Sequence, residues 1–266
     1  MKVISVVNNK GGVGKTTMSV NLAGELHKLG KRVLYIDLDK QGNGTSNFSI
    51  DKTNLRYTVV QFIKHSLGEY KNIPMQQIIQ ETDIGIDVIP SNMAMEFVEY
   101  EVMSIPLDRE FMIKKAIDEI KELYDYVVID CPPSLGILTQ NALVASDYLI
   151  VPTQAESASL EGIDGVAATF NAMRRYNPNL KILGVLLTMV NSRTNMYLKA
   201  KDYLTQLFGQ VLYKSEIRRS IKVAEAHMEG KLITDFIKLG NEESIETVAN
   251  DIQKFITETI ERMEKI

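Results

Sequence analysis

Apolar residues follow two rhythms along the chain. Short, mostly apolar runs at residues 3–7, 32–36, 86–89, 126–129, 148–151 and 182–189 are rich in Val and Ile and read as strands buried on both faces. Between and after them, at residues 19–29, 57–67, 91–102 and 244–266, apolar positions recur at helical spacing. Strands alternating with helices predict βαβ units and one doubly wound, mostly parallel α/β sheet with helices on both faces. No linker, repeat or change of composition interrupts residues 1–266, so a single domain is expected. The last helix lines Ile245, Val248, Ile252, Phe255, Ile256, Ile260 and Met263 along one face. From Asn241 onward it carries seven acidic and three basic residues, whereas a helix lying on a membrane is basic on its polar face. It is expected to pack against the core.

In such sheets ligands gather beyond the carboxyl ends of the strands. The first strand runs into Asn9-Lys10-Gly11-Gly12-Val13-Gly14-Lys15-Thr16-Thr17 and then a helix. Glycines let consecutive backbone N–H groups face inward at a helix N-terminus, which makes a phosphate nest. Lys15 is placed to reach the β- and γ-phosphates and the Thr16 hydroxyl to sit on Mg²⁺. The usual P-loop begins with Gly where this chain has Asn9, and Lys10 is an addition, so the loop is a deviant Walker A form. Nucleotide binding follows. The second strand ends in Asp37-Leu38-Asp39, which turns one carboxylate towards the phosphates and the other towards the sheet. A carboxylate there holds Mg²⁺ through water or orients an attacking water; capping a turn is its other use. Residues 126–130 form a hydrophobic strand closed by Asp130, the Walker B arrangement for a magnesium-side carboxylate. Asn191, just past a late strand, faces either the base or a turn.

Net charge is −4 with a single cysteine, Cys131, which excludes a disulfide framework and a cysteine-rich metal site. No apolar run is long enough to span a membrane and no signal-peptide pattern opens the chain, so a cytoplasmic location is expected. His27, His65 and His227 lack metal-ligand spacing and read as surface or packing residues. Mild acidity argues against a general polyanion binder, yet the charge is uneven. Between residues 185 and 222 lie Arg193, Lys199, Lys201, Lys214, Arg218, Arg219 and Lys222 against only Asp202 and Glu216. Clustering of this kind is the footprint of phosphate-backbone binding, with a solvated helix face as the alternative. No stacking aromatics or helix-turn-helix pattern accompanies it, so sequence-specific reading is not implied.

Together these motifs resemble those of ParA/Soj-type partition ATPases, in the MinD/ParA group of deviant-Walker P-loop NTPases, over nearly the whole chain. The resemblance implies ATP and Mg²⁺ as cofactors, with nucleotide held by Lys10, Gly11, Gly12, Val13, Gly14, Lys15, Thr16 and Thr17, to which Asn191 is added from its place after the late strand. It makes Lys10 the signature lysine, reaching across an ATP-sandwich homodimer to the partner's phosphates. Lys10, Lys15 and Asp39 become the catalytic set, Asp39 positioning the hydrolytic water, and Thr16, Asp39 and Asp130 the metal side. Segments around Arg193 and Lys222 align with family segments that bind DNA without sequence preference, and Arg218 and Arg219 join them. A ParB-like centromere-binding protein is the implied activator of slow hydrolysis, and the nucleoid the implied location, with no membrane partner. Lys40 stands where the family usually has proline, Lys222 where arginine is common, and His227-Met228-Glu229 replaces a proline-containing turn. The first strand starts at Lys2, so no N-terminal DNA-reading domain is expected. Two alternatives differ in partner: a MinD-like positioning ATPase, which calls for a basic C-terminal membrane anchor, and a metabolic P-loop phosphotransferase, whose acceptor pocket would fall in residues 45–110. A nitrogenase iron protein-like role requires a pair of cysteines that the chain lacks.

Overall fold

The computed structural model describes residues 1–154, 160–192, 194–236 and 243–266. In chain order the elements are β1 (Lys2–Val6), α1 (Lys15–Lys28), β2 (Val33–Asp37), α2 (Asn43–Asn47), α3 (Val59–His65), β3 (Gln80–Glu81), β4 (Asp87–Ile89), α4 (Met95–Ser104), α5 (Met112–Asp118) and β5 (Tyr126–Asp130). They continue with α6 (Ile137–Ala145), β6 (Tyr148–Gln154), α7 (Leu160–Met173), β7 (Lys181–Val190), α8 (Asn195–Phe208), β8 (Leu212–Arg218), α9 (Lys222–Met228), α10 (Ile233–Phe236) and α11 (Glu243–Lys265).

The eight strands form one sheet in the order β3-β4-β2-β5-β1-β6-β7-β8, parallel throughout except for the β3–β4 edge pair. β1 lies between β5 and β6, so the loop leaving it opens at the centre of the carboxyl edge. Strand side chains alternate between two cores, as a period of two requires. Val3, Val7, Ile129 and Leu149 face the layer of α3 to α8, while Ile4, Val6, Val128 and Ile150 face α1 and α11. α11 presents Ile252, Phe255 and Ile256 to that second core, where the Phe255 ring sits 5.4 Å from that of Tyr213. The acidic amphipathic helix is thus a packing helix. No described helix is long and apolar enough to cross a membrane.

Six strands stand where the apolar runs predict them; β3 and β8 are additions. β8 escapes the apolar-run criterion because its Lys214, Glu216 and Arg218 point outward between buried Tyr213, Ser215 and Ile217. It is an edge strand, and outward charges suit an edge that must not recruit another chain. The helices predicted over 57–67 and 91–102 are the shorter α3 and α4. Thr58 starts α3 with a capping box: its hydroxyl accepts from Val60 N, and the Gln61 amide oxygen accepts from Thr58 N at 2.8 Å.

Candidate functional site

The loop between β1 and α1 turns on two glycines with left-handed backbone, Gly12 (φ 73°) and Gly14 (φ 87°), a region that costs a residue with a Cβ. Gly14 caps α1 without a side chain, and the first turn of α1 contains no acidic residue. Its backbone N–H groups and positive dipole end are therefore open to an anion. Two distant side chains and one neighbouring side chain fix the loop. Gln154 at the end of β6 donates to Gly12 O at 2.8 Å, and Thr188 on β7 donates to Val13 O at 2.8 Å. Asn8 donates to Pro152 O at 2.8 Å and accepts from Lys10 N at 3.0 Å. The cradle is held rigid by its neighbouring strands, which lowers the ordering cost of binding.

Lys15 is buried, and its ammonium donates to the Lys10 carbonyl oxygen at 3.0 Å. Burial pushes its pKa down, and the charges of Asp130, Cys131 and Asp39 pull it back up. Lys10 itself is exposed at the loop, and its ammonium has no hydrogen bond or ion pair among the described residues.

Asp37 and Asp130 end the adjacent strands β2 and β5 in matching register, and both are fully buried. They are used differently. Asp37 accepts from Thr45 N and Thr45 Oγ1, each at 2.8 Å, and from Asp39 N at 3.1 Å, so it ties the following loop to the sheet. Asp130 accepts from the Tyr35 hydroxyl at 3.2 Å through Oδ2, while its Oδ1 is buried without a partner. Burial pushes the Asp130 carboxyl up, to about 8, and the Asp37 charge beside it adds to this against the nearby Thr16 hydroxyl and the Lys15 ammonium. Asp37 is raised too, first by burial, with the Thr45 hydrogen bonds opposing it. A cation supplied with the nucleotide fits this arrangement: its charge would hold Asp130 ionised, which burial opposes, and would give the unpartnered oxygen beside Thr16 a partner. Asp39, by contrast, is half-exposed and lines the cleft, with Oδ1 accepting from Gln41 N at 3.0 Å.

The cleft in front of the loop measures about 410 Å³. It is lined by Gly11, Gly12, Gly14, Lys15, Thr16 and Thr17 of the loop and α1, by Asp39 and Pro133, and by residues of α2 (Asn43, Ser46, Asn47) and α9 (His227, Met228). Residues from the loop, from the exit of β2 and from α9 thus converge on one space. Asn191 does not line it: it is exposed just beyond β7, where its carbonyl oxygen accepts from Thr194 N at 3.2 Å. His227 is more than a packing residue, since it faces the cleft with a buried, unpartnered Nε2.

The basic segment divides in two. Arg218 makes a double ion pair with Asp251 on α11, Nε to Oδ2 at 2.8 Å and Nη2 to Oδ1 at 2.7 Å, and so serves β8–α11 packing. Lys201 pairs with Glu216 and Lys222 with Glu225, both at 2.9 Å. Arg219, Lys199 and Lys214 are exposed and have no ion pair among the described residues. Arg193 lies outside the described residues.

Residues 1–182 match the AAA_31 family, an AAA domain. The chain is 40% identical over 234 residues to the sporulation initiation inhibitor protein Soj of Bacillus subtilis (strain 168), covering 87% of this chain and 90% of that one. It is 38% identical to the chromosome-partitioning ATPase Soj of Thermus thermophilus, covering 86% of each. Among solved structures it is similar to a cobyrinic acid a,c-diamide synthase from Mycobacterium smegmatis with a bound ATP analogue and magnesium, at a TM-score of 0.76 and 32% identity over 86% of this chain and 92% of that one. A deviant phosphate loop, its two aspartate-ended strands and these relationships coincide on one conclusion: the chain belongs to the ParA/Soj family of partition ATPases.

Proposed function

We propose that this chain is an ATP-switched DNA-partition ATPase whose two copies close face to face over two ATP molecules and bind DNA only when closed. The observation that carries the reading is Lys10: a cation on the phosphate loop, exposed, with no partner among the described residues. Lys15 already serves the loop's own phosphates, so an additional lysine there is best spent on a second subunit's nucleotide.

Within each subunit the amides of the loop and Lys15 hold the β- and γ-phosphates, and Thr16 and Asp130 face the metal. Mg²⁺, when bound, neutralises charge that develops on the phosphate oxygens. Asp39 is the carboxylate in the cleft not committed to the fold, and it orients the attacking water. Asn191 stays the proposed base contact, made by movement of the β7–α8 loop onto bound nucleotide. Closure brings the exposed cations of both copies onto one surface, where they bind DNA phosphates without reading bases. Arg219 and Arg193 carry that contact. Lys222 contributes charge beside its Glu225 partner, and Arg218 does so from a position fixed by Asp251. A ParB-like centromere-binding protein accelerates hydrolysis and resets the cycle on the nucleoid, in the cytoplasm.

The test is binding to random-sequence duplex DNA with ATP, ADP or no nucleotide across a salt series. ATP-selective binding that weakens steeply with salt is expected. Arg219→Ala and Arg193→Ala should each weaken it for every sequence alike and lower the salt slope by about 1. Equal binding in all nucleotide states would sink the coupling. Turnover that requires a small phosphate acceptor, or ATP-dependent capture by liposomes, would favour the phosphotransferase or membrane reading instead.

A further inference from the structure

We propose that Tyr35 is a positioning residue for the nucleotide–magnesium site, its hydroxyl fixing Asp130 so that one carboxylate oxygen stays presented to the metal side. Tyr35 lies on β2, two residues before Asp37, and is completely buried. Its hydroxyl is 3.2 Å from Asp130 Oδ2 and 3.2 Å from Ser19 Oγ. Ser19 in turn donates to the carbonyl oxygen of Thr16 at 3.0 Å. The phenol's one hydrogen goes to Asp130 and the Ser19 hydrogen to Thr16, so Tyr35 and Ser19 are in contact at the first turn of α1, which bears the magnesium-side threonine.

The ring has no room to relocate. Phe48 meets it edge-on at 4.9 Å between centroids, and a Cβ on Gly44 would run into the Tyr35 hydroxyl, so α2 keeps a glycine where the phenol passes. A phenylalanine would pack equally well in that slot and lose only the hydroxyl. The polar atom therefore serves Asp130, which takes its one hydrogen, and adds nothing to the packing. With Tyr35 bonded to Oδ2, the carboxylate cannot swing, and the unpartnered Oδ1 is the oxygen left for the metal's water shell. Partners of this kind orient the groups that face a metal and tune its affinity.

The inference rests on the reading of Asp130 as the magnesium-side carboxylate, and two variants separate the claims. A fluorescent ATP analogue is titrated into wild type, Tyr35→Phe and Asp130→Asn, in EDTA and across a Mg²⁺ series. In wild type Mg²⁺ should tighten binding. Tyr35→Phe should bind the analogue as wild type does in EDTA, while its half-saturating Mg²⁺ concentration rises roughly tenfold. Asp130→Asn should lose the response to Mg²⁺. A wild-type Mg²⁺ response in Asp130→Asn overturns the reading of the site. Loss in Asp130→Asn together with an unchanged response in Tyr35→Phe overturns the role of Tyr35 alone. A purely structural role would move affinity equally with and without Mg²⁺, and that result also overturns the proposal.

Discussion

Lys15→Ala is expected to weaken ATP binding at least about a hundredfold, since charge-assisted hydrogen bonds to the phosphates are worth about 1.5–3 kcal/mol each and 1.4 kcal/mol is a factor of ten. The effect should be large because this ammonium is already desolvated and aimed. Its burial cost is met in the fold, where the Lys10 carbonyl oxygen holds it at 3.0 Å, so binding need not order it. Its removal also takes a buried cation from the carboxyl edge and leaves the Asp39 carboxylate facing the incoming phosphates. The folded state without nucleotide should lose little, since a buried charge disappears along with its single hydrogen bond. Titration with a fluorescent ATP analogue, beside urea unfolding of the nucleotide-free protein, checks both parts. Affinity within a few-fold of wild type would mean that this lysine does not reach the phosphates.

Asp39→Ala should cut the hydrolysis rate by about 10²–10³-fold while leaving ATP bound as tightly as before, or more tightly. The cleft-facing carboxylate is half-exposed and makes one local bond, to Gln41 N at 3.0 Å. The neighbouring loop is tied down by Asp37 instead, through Thr45 at 2.8 Å, so the fold does not depend on Asp39. Removing a negative charge beside the phosphates can only help them bind. Asp39→Asn retains an acceptor for Gln41 N yet should be equally slow. If it hydrolyses ATP at the wild-type rate, the residue's part is the turn and not the water. Phosphate release under single-turnover conditions, with nucleotide affinity measured in parallel, distinguishes the two.

The residues that line the cleft are legible in the sequence where they are local. Gly11 to Thr17 are contiguous, Asp37 and Asp130 each terminate a strand whose apolar run is plain, and Asp39 lies two residues beyond Asp37. What supports that site was hidden, since every buttress comes from far away in the chain. Gln154 meets Gly12 across 142 positions, Thr188 meets Val13 across 175, and Tyr35 meets Asp130 across 95. No spacing rule encodes such pairs; only the strand order brings them together. The polar Thr188 inside an otherwise apolar run was the one signal available for its role. β8 was obscured by its alternating charges, which read with those of α8 as a basic patch although Arg218 of β8 and Lys201 of α8 are spent on Asp251 and Glu216. Periodicity reports which residues face water, not which of them pair there. His227 was likewise unreadable, because its place at the cleft depends on how α9 packs beside α2.

The most direct test of the switch is the solution mass of the Asp39→Ala protein, which holds ATP without consuming it, measured by light scattering with ATP, with ADP and without nucleotide. Twice the 30.0 kDa monomer mass with ATP alone, returning to monomer when Lys10→Ala is added, is the expected result. A monomer in ATP, or a dimer indifferent to Lys10, would contradict the claim that two copies close on each other's phosphates.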